Sequence, residues 1–147
     1  MILVRSPGFH ISEGEFWLAS GDLRRAEACA RRGLDQALRT ESRKYVARAR
    51  RLAGAIAMAR REWEAAEHAL DAALTVALAV GHPPQLWKTH AALAHLHDER
   101  RNPEAAARSY RAAADVIEGV LTPLRDPVLR AGLERDPRII DIRGRAR

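Results

Sequence analysis

Residues 61–74 read REWEAAEHALDAAL, and the fold turns on what kind of neighbour this stretch requires. Ala, Glu, Leu and Arg make it a strong helix former. Its only large apolar groups are Trp63, Leu70 and Leu74, and the rest of its non-polar surface is alanine. An alanine-faced helix gains little by covering a broad core. It gains most when a second backbone comes close enough to touch the methyl groups.

Sliding the chain against itself supplies that neighbour. GDLRRAEACARRGL (21–34), REWEAAEHALDAAL (61–74) and RNPEAAARSYRAAA (101–114) align without gaps at a shift of 40. A fixed period of this length is the mark of a repeat architecture. Ala26, Ala66 and Ala106 coincide, as do Gly33, Ala73 and Ala113 seven residues on, which places them on the same helical face. Upstream, Gly14, Gly54 and Ala94 coincide, and so do Phe16, Ile56 and Leu96. Small positions stay small and large ones stay large.

Each repeat reads as two helices. In the first, Ser12 with Glu15 has the form of a capping box, and Gly21-Asp22 marks a turn before a helix over Leu23 to Arg39. In the second, Thr40 or Ser42 caps a helix to about Arg60, and the next runs from Glu62 to Val80 and ends at Gly81. In the third, Pro83 and Pro84 break the chain before a helix over Gln85 to Arg100. Asn102 and Pro103 then open a helix that Thr122-Pro123 stops. A seventh helix opens at Asp126-Pro127 and ends near Arg135. Short turns force each pair to lie antiparallel and close. Ala26, Ala66 and Ala106 then meet Gly14, Gly54 and Ala94, while Trp17, Trp63, Leu70, Leu93, Leu96 and Tyr110 fill the space between pairs. The expected organisation is one all-α domain over 1–147, with repeats at about 8–40, 41–81 and 83–122 and a cap at about 126–140.

The pattern resembles the tetratricopeptide repeat family, in which an alanine early in the second helix is followed by an aromatic and another alanine. The third repeat matches best, with Leu93-Ala94, Ala106, Tyr110 and Ala113 and with Trp87 near its start. The second supplies Gly54, Ala66, Leu70 and Ala73, and the first Gly14, Ala26, Ala30 and Gly33. The period of 40 exceeds the family's usual length of about 34, and the family's terminating proline is missing. In this the chain is similar to the longer repeats in the C-terminal helical arrays of large bacterial signalling ATPases, nucleotide cyclases and transcription activators. The resemblance implies an α–α superhelix of three hairpins with a C-terminal capping helix. It also implies a concave partner-binding groove lined by the first helix of each pair. The positions carried over are Ile11, Glu15 and Leu18, then Arg48, Arg51, Ala55 and Met58, then Lys88, Ala91 and His95. The implied role is a non-catalytic protein-interaction module, an adaptor or the terminal part of a regulatory array.

Composition narrows the alternatives. No apolar run approaches the ~18 residues of a membrane span, and a single cysteine, Cys29, excludes an internal disulfide framework and fits a reducing cytoplasm. The net charge of +6 is almost wholly arginine. Residues 24–61 carry twelve Arg and Lys against Glu27, Asp35 and Glu41, whereas 62–99 carry six acids against Lys88. Such alternation suits helices that pair electrostatically. Lys44, Arg48 and Arg51 share one helical face, with Arg43 and Arg50 beside them. They suit an acidic peptide. A nucleic-acid or acidic-surface binder is the alternative, weakened because Tyr45 is the only aromatic in the block. Self-assembly through an open solenoid end is a further one.

Chemistry finds little footing in the sequence. His90 and His97 lie about 10 Å apart along a helix, too far to share one metal, and His95 points away from His97. Cys29 sits mid-helix near Arg25, Arg31 and Arg32, but the expected role is packing. Glycines are scattered singly, with no phosphate loop. No enzyme activity, cofactor or metal is expected. The family's carboxylate clamps use groove asparagines; the matching positions hold Glu15, Ala55 and His95, so that specificity is not expected here.

Overall fold

In a computed structural model of the chain, which describes residues 5–147, the described residues form eight α-helices and no strand. They pack as two compact units that divide between Gly81 and His82.

The first unit holds α1 (Pro7–Ala19), α2 (Leu23–Arg39), α3 (Arg43–Ala59) and α4 (Trp63–Val80). Successive helices pack on each other, and α1 also touches α3. The hairpin contacts follow the repeat. A Cβ added at Gly54 would stand 2.7 Å from Leu70 Cδ2 and 3.5 Å from the Ala66 carbonyl oxygen. One added at Gly14 would stand 2.7 Å from Leu52 Cδ2 and 3.3 Å from the Ala26 oxygen. Both glycines therefore admit the backbone of the paired helix at its alanine. Leu70 thus fills its own hairpin rather than the space between pairs. Ala26, Ala66 and Ala73 are wholly buried. The core between the first two hairpins joins Ile11, Ala26, Ala30, Ala49, Leu52 and Ile56.

The second unit holds α5 (Pro83–Glu99), α6 (Pro103–Leu121), α7 (Pro127–Glu134) and α8 (Pro137–Arg145). Trp87, Ala94, Ala106, Tyr110, Ala113, Ile117 and Leu121 form its core with Ile139 and Ile142 of α8. α7 buries none of its residues.

The period also governs the turns. Gly21, Arg61 and Arg101, spaced by 40, all take left-handed backbone, with φ of 83°, 61° and 56°. After each, an amide reaches back five residues: Asp22 N to Trp17 O, Glu62 N to Ala57 O, and Asn102 N to His97 O, at 2.9, 2.9 and 2.8 Å. This is the Schellman closure that satisfies the last carbonyls of a helix. Glu41 and Gly81, also 40 apart, take φ of 54° and 70° between hairpins.

Three boundaries differ from the sequence reading. α5 starts at Pro83 with His82 as its N-cap, so the two prolines fill the first turn instead of breaking the chain before Gln85. α1 begins at Pro7, capped by Ser6, whose hydroxyl accepts from Phe9 N at 3.2 Å. Ser12 is consequently mid-helix and caps nothing. Proline lacks the amide that a first turn would leave unpaired, so Ser-Pro outcompetes the capping box. The same chemistry explains α8. Asp136-Pro137, just past the expected end of the seventh helix near Arg135, starts another helix, with Asp136 Oδ1 accepting from Arg138 N at 2.9 Å.

Candidate partner-binding surface

Side by side in the first unit, α1 and α3 bring together several of the positions assigned to a groove. Arg48 projects from α3 and meets Glu15 of α1 through two parallel hydrogen bonds, Nε to Oε1 at 3.2 Å and Nη2 to Oε2 at 3.0 Å. Its Nη2 also donates to Ser12 Oγ at 2.9 Å. This fork is the strong, geometrically specific form of an arginine–carboxylate contact. It remains solvated, with the Arg48 side chain 23% and Glu15 47% exposed, so its net stabilisation is small. Leu18, Arg51, Ala55 and Met58 are half-buried on the same two helices. The surface therefore mixes short apolar groups with a charge pair that is already satisfied.

Ile11 does not belong to it. The side chain is fully buried, and a Cβ at Gly33 would stand 2.8 Å from its Cγ1. With α1 starting at Pro7, Ile11 lies in the second turn and faces α2, where Gly33 leaves room for it.

In the second unit Lys88 and Ala91 are half-buried and His95 is exposed. Lys88 Nζ lies 5.5 Å from the centroid of the Trp87 ring, and Ala91 packs on the unit's core. The His95 ring meets Tyr110 edge-on at 6.0 Å. Tyr110 donates to Asp98 Oδ2 at 2.9 Å, and Arg145 Nη1 of α8 donates to the same oxygen at 3.2 Å. Burial, followed by the bond to Asp98, pushes the Tyr110 phenol up to about 12. It is a protonated donor at neutral pH.

Burial also acts on Cys29 and His90. Burial raises the Cys29 thiol, and Glu13 adds to the effect against a smaller opposing pull from Arg32. The sequence points to nearby arginines, but α1 places a carboxylate beside the sulfur. Burial lowers His90. Among the described residues, no group of three or more His, Cys, Asp and Glu is placed to hold a metal.

A second surface lies on the α2–α3–α4 side of the first unit. Arg60 Nη2 donates to Glu27 Oε2 at 3.0 Å, and this bond holds the Glu27 carboxyl below its usual range. The pair stands on the rim of a cavity of ≈ 230 Å³ floored by Ala49, Ala53, Ile56 and Ala57. A larger cleft of ≈ 650 Å³ lies between Ala37 and Leu38 of α2, Val46 and Arg50 of α3, and Thr75, Val76 and Ala79 of α4. Neither includes a position that the resemblance assigns to a groove, because those on α3, Arg48, Arg51, Ala55 and Met58, lie on another face of that helix. The Arg43/Arg50 spacing was the available signal. No helix among the described residues is long and apolar enough to cross a membrane. Comparison of the chain with protein-family models, curated proteins and solved structures gives no match.

Proposed function

We propose that this chain is a non-catalytic interaction module of tetratricopeptide type. Its hairpins stack as an α–α superhelix and hold a protein or acidic peptide segment on the surface of their first helices. The observation that supports this most is the strip on α1 and α3, where Leu18, Ala55 and Met58 accompany the Arg48–Glu15 fork. A partner carboxylate can replace Glu15 on Arg48 without loss of the fork, while the apolar groups supply contact area. Exchange of one carboxylate for another gains little net energy. Affinity is therefore weak to moderate, falls with salt, and serves specificity and encounter more than tightness.

The test is an acidic-peptide array probed with wild type, Glu15→Gln and Arg48→Glu/Arg51→Glu at low and moderate salt, with helicity monitored. Glu15→Gln, which frees the Arg48 fork, is expected to strengthen capture of acidic peptides. The double charge reversal is expected to abolish it. Unchanged capture by all three proteins refutes the surface.

A second reading, self-association, is favoured by one specific feature. Phe9 and Phe16, two turns apart on α1, are 46% and 61% exposed. Covering them with a second copy would make a small, concentration-dependent dimer. Sedimentation of wild type against Phe9→Ser/Phe16→Ser tests it: identical masses across the concentration range exclude this face. The nucleic-acid alternative draws less support, because Arg48 and Arg60 are already neutralised by Glu15 and Glu27.

A further inference from the structure

Four arginines, three on α3 and Arg60 at its C-cap, differ in their partners. Arg48 and Arg60 are held by carboxylates from α1 and α2. Arg43 and Arg50 have no ion-pair partner among the described residues, and both line the ≈ 650 Å³ cleft between α2, α3 and α4. Arg50 is half-buried there, and its Nε is buried with no hydrogen-bond partner. An unpaired guanidinium nitrogen withdrawn from water costs more than a made hydrogen bond returns. The first unit bears such a cost at His10 Nδ1 and at Arg50 Nε, and of the two only Arg50 carries a permanent charge and lines a cleft.

We propose that this cleft binds a peptide carboxylate attached to apolar side chains, with Arg50 as the inner anchor and Arg43 at the rim. The walls identify the apolar part: Ala37, Leu38, Val46, Val76 and Ala79 line the space, and Leu38 is 51% exposed. The charges identify the anion. Arginine presents a planar fork suited to a carboxylate, and the two cations lie about 10 Å apart along one face of α3. Glu41 lines the same cleft and opposes a polyanion such as a phosphate chain, while a single carboxylate can sit on Arg50 away from it. At the start of α3, Ser42 makes no side-chain cap and bonds to Thr40 instead, which leaves the positive end of the helix beside Arg43. The volume suits two or three small apolar residues.

This deepens the interaction reading by naming a second surface and a ligand class, and it shares no residue with the α1–α3 strip. The experiment is a titration of the intact protein, followed by amide chemical shifts, with acetyl-Leu-Val-Leu as free acid and as C-terminal amide. A third probe is the amide acetyl-Val-Glu-Leu-NH2. The free acid is expected to shift resonances of residues around Val46, Thr75 and Val76. Arg50→Gln is expected to weaken it by about tenfold or more, as loss of a charge-assisted bond does, Arg43→Gln by less, and Arg111→Gln, an exposed position on α6 of the second unit, not at all. If the glutamate amide binds as the free acid does, the site takes a side-chain carboxylate; if only the free acid binds, it takes a chain terminus. Equal binding of the Leu-Val-Leu acid and its amide, or an Arg50→Gln variant with unchanged affinity and wild-type helicity, overturns the proposal. Either result leaves the Arg48/Arg51 test standing, so the two failures are distinguishable.

Discussion

α1 and α3 hold the same place in consecutive repeats, yet one face of them has opposite fates. In α3 the face carries Ala49, Leu52 and Ile56, exposed by 1%, 4% and 3% beneath the preceding hairpin. Forty residues earlier the corresponding positions on α1 are Phe9, Ser12 and Phe16, and all three are exposed. The register is common to both helices; what differs is that α1 and α2 pack on this face of α3, whereas on α1 it stays exposed. A repeat therefore specifies the face it offers its neighbour, while burial of that face depends on the neighbour's presence. Phe16 aligns with Ile56 and Leu96 as a large residue, but size alone does not make it core.

Stability measurements can break this comparison. Ile56→Ala is expected to cost about 2–4 kcal/mol, the range for truncating a buried isoleucine. Phe16→Ala, although it removes a larger side chain, is expected to fall within about 0.5 kcal/mol of wild type. Chemical denaturation of the two variants decides. If Phe16→Ala costs as much as Ile56→Ala, then α1 is covered in solution, and concentration dependence of that cost would identify a second copy.

The turns sharpen the comparison at lower energy. Left-handed backbone is strained for residues with a Cβ and free for glycine. Glycine stands at 21, whereas arginine stands at the equivalent positions 61 and 101. Arg61→Gly and Arg101→Gly are therefore expected to range from neutral to stabilising by up to about 1 kcal/mol, the strain relieved being offset by added freedom of the unfolded chain. Gly21→Arg is expected to destabilise by about 1 kcal/mol. Thermal melts of the three variants check the sign.

The second unit offers a pH handle. Tyr110 titrates near 10 when unfolded and at about 12 in the fold. Because the fold favours the protonated phenol, the contribution is complete below pH 10 and is lost as pH rises from 10 to 12. Urea midpoints across that window should fall more steeply for wild type than for Tyr110→Phe. Parallel curves would show that Asp98 and burial do not hold the proton. The smallest effect concerns metal: zinc or a chelator is expected to leave melting temperature and helicity unchanged, and a shift of several degrees would mean that the histidines bind it.

The fold was legible where the chemistry is local. α2 has the bounds that Gly21-Asp22 and the apolar spacing imply, and Asn102-Pro103 opens α6, with Asn102 accepting from Ala105 N at 3.2 Å. The close approaches at Gly14 and Gly54 follow from small residues repeating at fixed intervals. Legibility ended where two signals competed or where side chains reach across helices. Ser6-Pro7 and Ser12/Glu15 both resemble helix starts, and only the fixed φ of proline decides between them. Asp136-Pro137 can end one helix or begin another, and it does both. The Arg48–Glu15 fork spans 33 residues, and nothing in either residue's local sequence selects the other. For the same reason the arginine block could not be sorted into paired and unpaired members, although that division separates Arg48 from Arg50.

Equivalence of the three hairpins can be measured directly. Leucine placed separately at Ala26, Ala66 and Ala106, which are 0%, 0% and 2% exposed, should overpack the close approach in each hairpin and cost about 1–3 kcal/mol or more. Leucine at the exposed neighbours Ala28 and Ala65 should be nearly neutral. Thermal and urea unfolding of the five variants is the measurement. The repeat predicts that the three buried substitutions fall together and the two exposed ones stay with wild type. If Ala66→Leu and Ala65→Leu shift the midpoint equally, the 40-residue register is wrong and the architecture built on it fails.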